Sequence, residues 1–414
     1  MKILFYGLGA VGAVMAAALE RLFEKEGRGV LFAFAVRDEK RARAALFRSP
    51  ALQAQALFFG FDDEAAASAF APDVVINAAV PELNVVIARR ALALGAHYAD
   101  MASDIYNETT LQTLRFSQQS LGEAFKKQNR FGLINLGFSP GLTNFIIGEK
   151  IAQITALPDA PRIESVRLFL LEELISSRIL FSWSPKVALD EVLARPAFVR
   201  NGALQTLKPF SLIRPHRFDP DREVETYPVF QEEVISLHDS YPQIDEIRLF
   251  CGGNEVELFK NLFQLNLLSR DLKVGSAPVE QVVRKVLPKM KSPKVIEYYN
   301  RRRIIKGARF EAVAEIETLS KSGRHTIESV GAAFTRYHDL IGTPFSGATY
   351  IAYPTGAAAA VLLFYALKAQ SLSGVIAPES LPAALGPALS DRIKRELTGM
   401  GIEFHARLSG VRRP

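Results

Sequence analysis

The chain has 414 residues, of which 49% are apolar and 23% charged, a composition suited to a soluble globular protein with room for two cores. A single cysteine, Cys251, excludes an intrachain disulfide and a cysteine-built zinc cluster, and it points to a reducing, cytoplasmic compartment. The net charge is +6, and ten basic residues against one acid fall between Arg284 and Arg309. No nucleic-acid motif accompanies that stretch, so it reads as a solvated face or a patch attracting an anionic small molecule, and no nucleic-acid partner is expected.

Ile3-Leu4-Phe5-Tyr6 is an apolar run ending at glycine, the pattern of a buried parallel strand. A first strand starting at Lys2 or Ile3 leaves no room for a targeting peptide. Val11 to Phe23 then has helical periodicity. The glycines of GLGAVG thus sit between a strand and a helix, where a dinucleotide fingerprint has to sit. Gly7 permits the turn, Gly9 lets the backbone approach a pyrophosphate, and Gly12 lets the helix pack on the strand. Ala10 and Val11 begin the helix, whose free amides face the double negative charge.

The second strand is predicted over Val30–Val36. An NAD site places an acid at its end to bind the ribose 2′-hydroxyl. Here Arg37 follows Val36, and a guanidinium suits a 2′-phosphate, so NADP is favoured over NAD. Asp38 and Glu39 keep NAD possible. A third strand is predicted near Ala54–Phe59, with Asp62 a candidate beside the adenine. A fourth covers Asp73–Ala78, and Asn77, Ala78, Ala79, Val80 and Pro81 are expected along the cofactor. A helix from Leu83 to Leu94 and a strand His97–Asp100 follow. A strand Phe131–Asn135 leads into Gly137, Phe138 and Ser139, a loop expected to close over the nicotinamide. Strand and helix alternate, which predicts an α/β doubly wound parallel sheet with ligands at the carboxyl ends of its strands.

GLGAVG, AVR at Ala35, DVVINAAVPELN at Asp73, GAHYAD at Gly95, GFSPGLTN at Gly137, FSWSP at Phe181, SGVIAPE at Ser373 and GIEF at Gly401 occur in this order. Together they resemble the saccharopine dehydrogenase-like family of NAD(P)-dependent oxidoreductases. That family includes saccharopine reductases and carboxynorspermidine dehydrogenases, with homospermidine synthases related to it. The resemblance implies a Rossmann NAD(P)-binding domain over residues 1–145 and an inserted α+β substrate domain over 146–344. It also implies a C-terminal segment, 345–414, packing back on the Rossmann domain, and a homodimer. The strand IESVRLFLLEE and a hairpin turning at Ser322-Gly323 agree with the α+β insert. The uncharged run Phe345–Leu367 reads as a buried helix over Ala357–Leu367, too short to span a membrane.

The implied chemistry is hydride transfer at a carbon–nitrogen bond, a secondary amine against an imine, in an amino-acid-derived substrate. It needs a proton-transfer group within hydrogen-bond reach of that nitrogen. Asp100 and Tyr98 share one face of their strand near the expected nicotinamide and are the catalytic candidates, with Asp104 weaker and His97 structural. Trp183, Ser184 and Lys186 are the candidate substrate segment. Lys186 stands where relatives often carry glutamate, which leans toward a carboxylate-bearing substrate and against a polyamine. Arg200, Arg217 and Arg222 are further candidate anion clamps. Six histidines without ligand spacing point to no metal. Two other readings stay open: amine transfer with bound NAD, as in homospermidine synthases, and a non-catalytic nucleotide-binding sensor or scaffold.

Overall fold

The computed structural model describes residues 1–412 except 47, 103–105, 108–111, 183–184, 289–290 and 370. The first sheet is built from β1 (Lys2–Tyr6), β2 (Leu31–Val36), β3 (Leu57–Gly60), β4 (Val74–Asn77), β5 (His97–Asp100) and the strands Phe131–Leu133 and Gly374–Ile376. Their order across the sheet is Gly374–Ile376, Phe131–Leu133, β5, β4, β1, β2, β3, and every described pairing is parallel. Residues 3–5, 33–35 and 74–76 are almost fully buried, as continuous apolar runs covered on both faces must be. The strand order reverses between β1 and β4, so the loops after these two strands flank the crevice where such sheets bind ligands.

The third strand begins at Leu57, later than the Ala54 expected from the apolar pattern. Pro50 sits in the first turn of a helix, Pro50–Gln55, which takes the preceding residues out of extended conformation.

Among the described residues the second sheet has nine strands and mixed direction. Its long central strand, Arg162–Ser176, pairs antiparallel with Ile305–Leu319 and parallel with Glu246–Gly252. Ile305–Leu319 and His325–Phe334 form the hairpin that the sequence placed at Ser322-Gly323.

The path of residues 345–414 divides. The helix Ala352–Ala366 lies against α1 (Ala10–Lys25), and fourteen of its fifteen residues are buried. The approach is close because position 356 is glycine: a Cβ there would sit 2.7 Å from the Val11 carbonyl oxygen. This helix starts at Ala352, earlier than expected, with Pro354 in the first turn, where no backbone N–H is needed. Gly374–Ile376 then joins the first sheet, but Ile402–Arg412 leaves it and pairs along His325–Phe334 in the second. No described helix is long and apolar enough to cross a membrane.

Candidate active site

A cavity of about 350 Å³ lies between the two sheets. From the first sheet it is lined by Gly9, Ala10, Val11 and Gly12, by the loop from Asn77 to Pro81, and by Ser139 and Pro140. From the second it is lined by Glu172, Ser182, Glu191, Gln231 and Phe310, and from the return helix by Thr355. Thr355 is the one residue of that helix that is not buried.

The glycine turn has the shape of a phosphate cradle. Gly7 has φ +82°, and a Cβ on it would meet the Ala79 Cβ at 2.8 Å. A Cβ on Gly12 would meet the Ala78 Cβ at 2.9 Å. The small residues of the second loop therefore back the first. At Gly9, by contrast, a Cβ would meet nothing within 4 Å, so open space lies in front of the first turn of α1. A pyrophosphate fits there, on amides that have no partner inside the helix. Asn77 fixes the second loop: its Nδ2 donates to the Val80 carbonyl at 3.0 Å and to Asn84 Oδ1 at 2.6 Å, while its Oδ1 accepts from the Ala79 amide at 3.0 Å.

Gly137 and Phe138 lie behind the cavity wall. Gly141 has φ +131°, and a Cβ there would fall 2.2 Å from the Gly137 carbonyl oxygen, so the loop can close only with glycine. Phe138 is buried and packs against Phe310 at 4.5 Å between centroids, the rings tilted by 35°. Ser139 reaches the cavity, with its hydroxyl donating to Glu233. Glu233, fully buried, also accepts from Thr143 Oγ1 at 3.2 Å.

At the far end of the crevice Arg37 is exposed and lies over the Phe61 ring at 5.4 Å. The two acids after it are engaged. Asp38 caps the next helix, accepting from the Arg41 amide at 2.9 Å, and Glu39 pairs with Arg43 at 2.7 Å. Asp62 pairs with Arg90 at 3.2 Å.

Asp100 and Tyr98 do not line the cavity, although both lie on β5 as expected. Each is 1% exposed. One oxygen of Asp100 accepts from the Asn135 amide at 2.9 Å and the other from Gln118 Nε2. The carboxylate thus ties β5 to the next strand through both of its oxygens. The Tyr98 hydroxyl lies beside Asp100, Asn77 and Gln118 without a well-formed hydrogen bond. Burial first, then the Asp100 charge, raises its pKa well above the usual phenol range, so it stays protonated. His97 stands at the opposite end of β5 with Nδ1 accepting from the Phe131 amide at 3.1 Å, and burial depresses its pKa to about 4.

Trp183, Ser184 and Asp104 lie outside the described residues, as does the side chain of Lys186. The described part of this wall carries two acids, Glu172 and Glu191. Glu191 accepts from Gln231 Nε2 at 3.2 Å. Glu255 lies behind, 6% exposed, accepting from the Ser182 hydroxyl and from Tyr350 at 3.4 Å. Arg200, Arg217 and Arg222 do not line the cavity, and Arg222 pairs with Glu173. Elsewhere, ligand atoms of Glu164, Glu317 and His325 lie within 4.8 Å of one another, but Arg162 and Arg167 already pair with the two acids.

Sequence reasoning missed Glu172, Glu191, Gln231 and Glu233. Two signals were present: acids inside the apolar strand run LFLLEEL, and the adjacent pair in QEEVIS. A charge within a core-like run is rarely buried unless something there uses it.

Residues 3–131 match the family model for the saccharopine dehydrogenase NADP binding domain, and residues 137–402 match that for the saccharopine dehydrogenase C-terminal domain. A carboxyaminopropylagmatine dehydrogenase from Synechocystis sp. is 23% identical over 264 residues, which are 61% of this chain and 63% of the relative. The match therefore spans less than two thirds of the curated relative's length. The apo structure of saccharopine dehydrogenase (L-Glu forming) from Saccharomyces cerevisiae superposes with a TM-score of 0.67 at 13% identity, covering 98% of this chain and 99% of that one. At that identity the likeness concerns the fold.

Proposed function

The chain belongs to the saccharopine dehydrogenase family of NAD(P)-dependent oxidoreductases, and from that premise we propose that it transfers a hydride at the carbon–nitrogen bond of an amino-acid-derived secondary amine, with NADP as cofactor. The observation that carries this is the shared cavity: the glycine cradle, the Asn77–Pro81 loop and Ser139 face Glu172 and Glu191 across one small space. When bound, the nicotinamide accepts or returns the hydride. The chain's own part is to hold the pyrophosphate on the first turn of α1, to exclude water between the sheets, and to orient and protonate the substrate.

The acidic residues Glu172 and Glu191 of the wall support a substrate with a cationic arm, beside the carboxylate for which Lys186 was a candidate. The Synechocystis relative is named for an agmatine derivative, which carries a guanidinium, and this agrees with such an arm. Arg37 is proposed to hold the 2′-phosphate, since the nearby Asp38 and Glu39 are engaged elsewhere. Arg37→Ala is expected to weaken NADPH binding roughly 10- to 100-fold, the loss of one or two charge-assisted hydrogen bonds, with NADH binding little changed. Fluorescence titration measures both, and equal losses would remove Arg37 from that role. A homodimer is part of the proposal, checked by light scattering.

The reaction is tested by titrating the protein with NADPH and NADH, then assaying NADP-dependent oxidation of saccharopine and carboxyaminopropylagmatine. Turnover of either supports the reading. Transfer of an amine group without net NADPH formation would favour the homospermidine-synthase-like alternative. Tight binding without either reaction would favour a nucleotide sensor.

A further inference from the structure

We propose that Glu172, which lines the cavity where Asp100 and Tyr98 do not, is the catalytic group that carries the proton to and from the substrate nitrogen. This rests on the dehydrogenase reading above. Glu172 lines the same cavity as the cofactor cradle. Its carboxyl neither accepts a hydrogen bond from, nor pairs with a cation among, the described residues. Its neighbour Glu173 points to the other face, as alternation requires, and is taken up by Arg222 at 2.9 Å. The strand thus delivers one acid to a surface pair and the other, without a partner among the described residues, to the cavity.

Glu172 also stands on a rigid element. Its strand is paired on both sides, with Phe310 opposite it in the register. The helix Asn254–Gln264 presses its N-terminus against the same strand. Gly253 makes that possible, because a Cβ there would lie 2.0 Å from the Glu172 carbonyl oxygen. Asn254 bonds both the amide and the carbonyl of Leu174, at 2.9 and 2.6 Å. A proton-transfer group held this way keeps its aim without help from the substrate.

The groups around Glu172 are Glu255 from that helix, Glu191 from the helix Pro185–Leu193, and Cys251 and Tyr350, both buried. Burial first and the Glu255 charge second push the Glu172 carboxyl up to about 8. Burial pushes Glu255 to about 7, but Ser182 and Tyr350 occupy one of its oxygens. A carboxyl titrating near the working pH serves as base in one direction and acid in the other.

In oxidation, the Glu172 carboxylate takes a proton from the secondary ammonium: an N–H bond breaks and an O–H bond forms. The freed lone pair becomes the second C–N bond as the carbon's hydrogen leaves with its electron pair as hydride. The substrate is then an iminium ion and Glu172 is a neutral acid. Reduction reverses each change, with Glu172 returning its proton to the nitrogen.

Glu172→Gln keeps the shape and removes the proton site. The expected result is a loss of roughly 10²-fold or more in kcat for whichever of saccharopine or carboxyaminopropylagmatine the wild type oxidises, with NADPH affinity unchanged. In the wild type, kcat/KM for oxidation should rise with pH to a plateau above about 8, the pKa that burial imposes on this carboxyl. Carbon-13 NMR of glutamate-labelled apoprotein should show a carboxyl titrating near 8 that Glu172→Gln removes. Thermal stability offers a further readout. A carboxyl whose pKa is raised by folding stabilises the protein below its unfolded pKa and loses that contribution as pH rises. The Gln variant should therefore gain in Tm relative to wild type as pH rises from the ordinary carboxylate range toward 8. Glu172→Asp, shorter by one methylene, should keep part of the activity. A Gln variant with kcat within twofold of an active wild type overturns the assignment, as does the absence of the shifted carboxyl signal. If the wild type oxidises neither compound, the dehydrogenase reading fails, and the assignment fails with it.

Discussion

Gly9→Asp is expected to abolish NADPH binding, raising Kd at least about a hundredfold, in a protein that stays folded and becomes slightly more stable. The two effects separate because of where Gly9 sits. It is the N-cap of α1 with φ −92° and ψ −168°, an extended conformation open to any residue. A Cβ there meets nothing. Aspartate is a better N-cap than glycine and places a negative charge at the positive end of the helix, a gain of up to about 1 kcal/mol. The same charge stands where the pyrophosphate must come. Two like charges about 4 Å apart repel by roughly 4 kcal/mol at an effective dielectric of about 20, which exceeds what a hundredfold loss requires. Thermal unfolding and fluorescence titration on the same sample would show Tm holding or rising while binding disappears. Unchanged binding would move the pyrophosphate away from this turn. Gly7→Asp could not make this separation, because Gly7 has φ +82° and its Cβ would clash with Ala79 at 2.8 Å.

Arg115→Met is expected to cost about 3–5 kcal/mol of stability, the usual price of stranding a buried charge. Arg115 and Glu379 are 3% and 0% exposed at the side chain and lie 3.0 Å apart. Arg115 also donates to Ser236, and to Ser240 at 3.3 Å. Glu379 accepts from Ser240 at 2.7 Å and from Asn144 Nδ2 at 3.2 Å. Four segments meet here: the helices Leu114–Gln119, Leu142–Thr155 and Glu233–Ser240, and the return turn Pro378–Ser380. The helix Leu142–Thr155 approaches because position 148 is glycine, where a Cβ would lie 2.1 Å from the Glu379 carbonyl oxygen. Methionine keeps most of the volume and removes the cation, so the Glu379 carboxylate is left buried among hydroxyls. The pH dependence has a definite sign. Despite burial, Arg115 and the two serines hold the Glu379 carboxyl below its ordinary value. It therefore stabilises the wild type above the ordinary carboxylate range, and that contribution is lost as pH falls through the folded pKa. The deficit of Arg115→Met should be largest at neutral pH and shrink in acid, where Glu379 can take a proton. Chemical denaturation at pH 7 and pH 4 measures both. A loss below about 1 kcal/mol at neutral pH would mean that water or a neighbour relieves the stranded charge.

The first third of the chain was legible because its signals are local. An apolar run reads as a buried strand wherever it lies, and a glycine turn before a helix carries its geometry with it. Two of the boundaries that moved lie beside prolines: Pro50 opened a helix that runs into the start of the expected strand, and Pro354 stood inside the first turn of the return helix. Asp100 shows the limit of this. Its place at the end of β5 was readable, but its role was not, because Asn135 and Gln118 engage the carboxylate through contacts that have no local signature.

By itself, then, the sequence determined the doubly wound sheet, the cradle at Gly7, Gly9 and Gly12, and the course of the Asn77–Pro81 loop, since each depends on side chains and backbone a few residues apart. The tertiary structure alone decided which polar groups of the second domain line the cavity. Glu172, Glu191 and Gln231 come from separate segments of the second domain, and only the folding of that domain against the first brings them to one cavity. It also decided which of two adjacent glutamates lines the cavity, because alternation assigns Glu172 and Glu173 to opposite faces but only the packed neighbours say which face is the cavity.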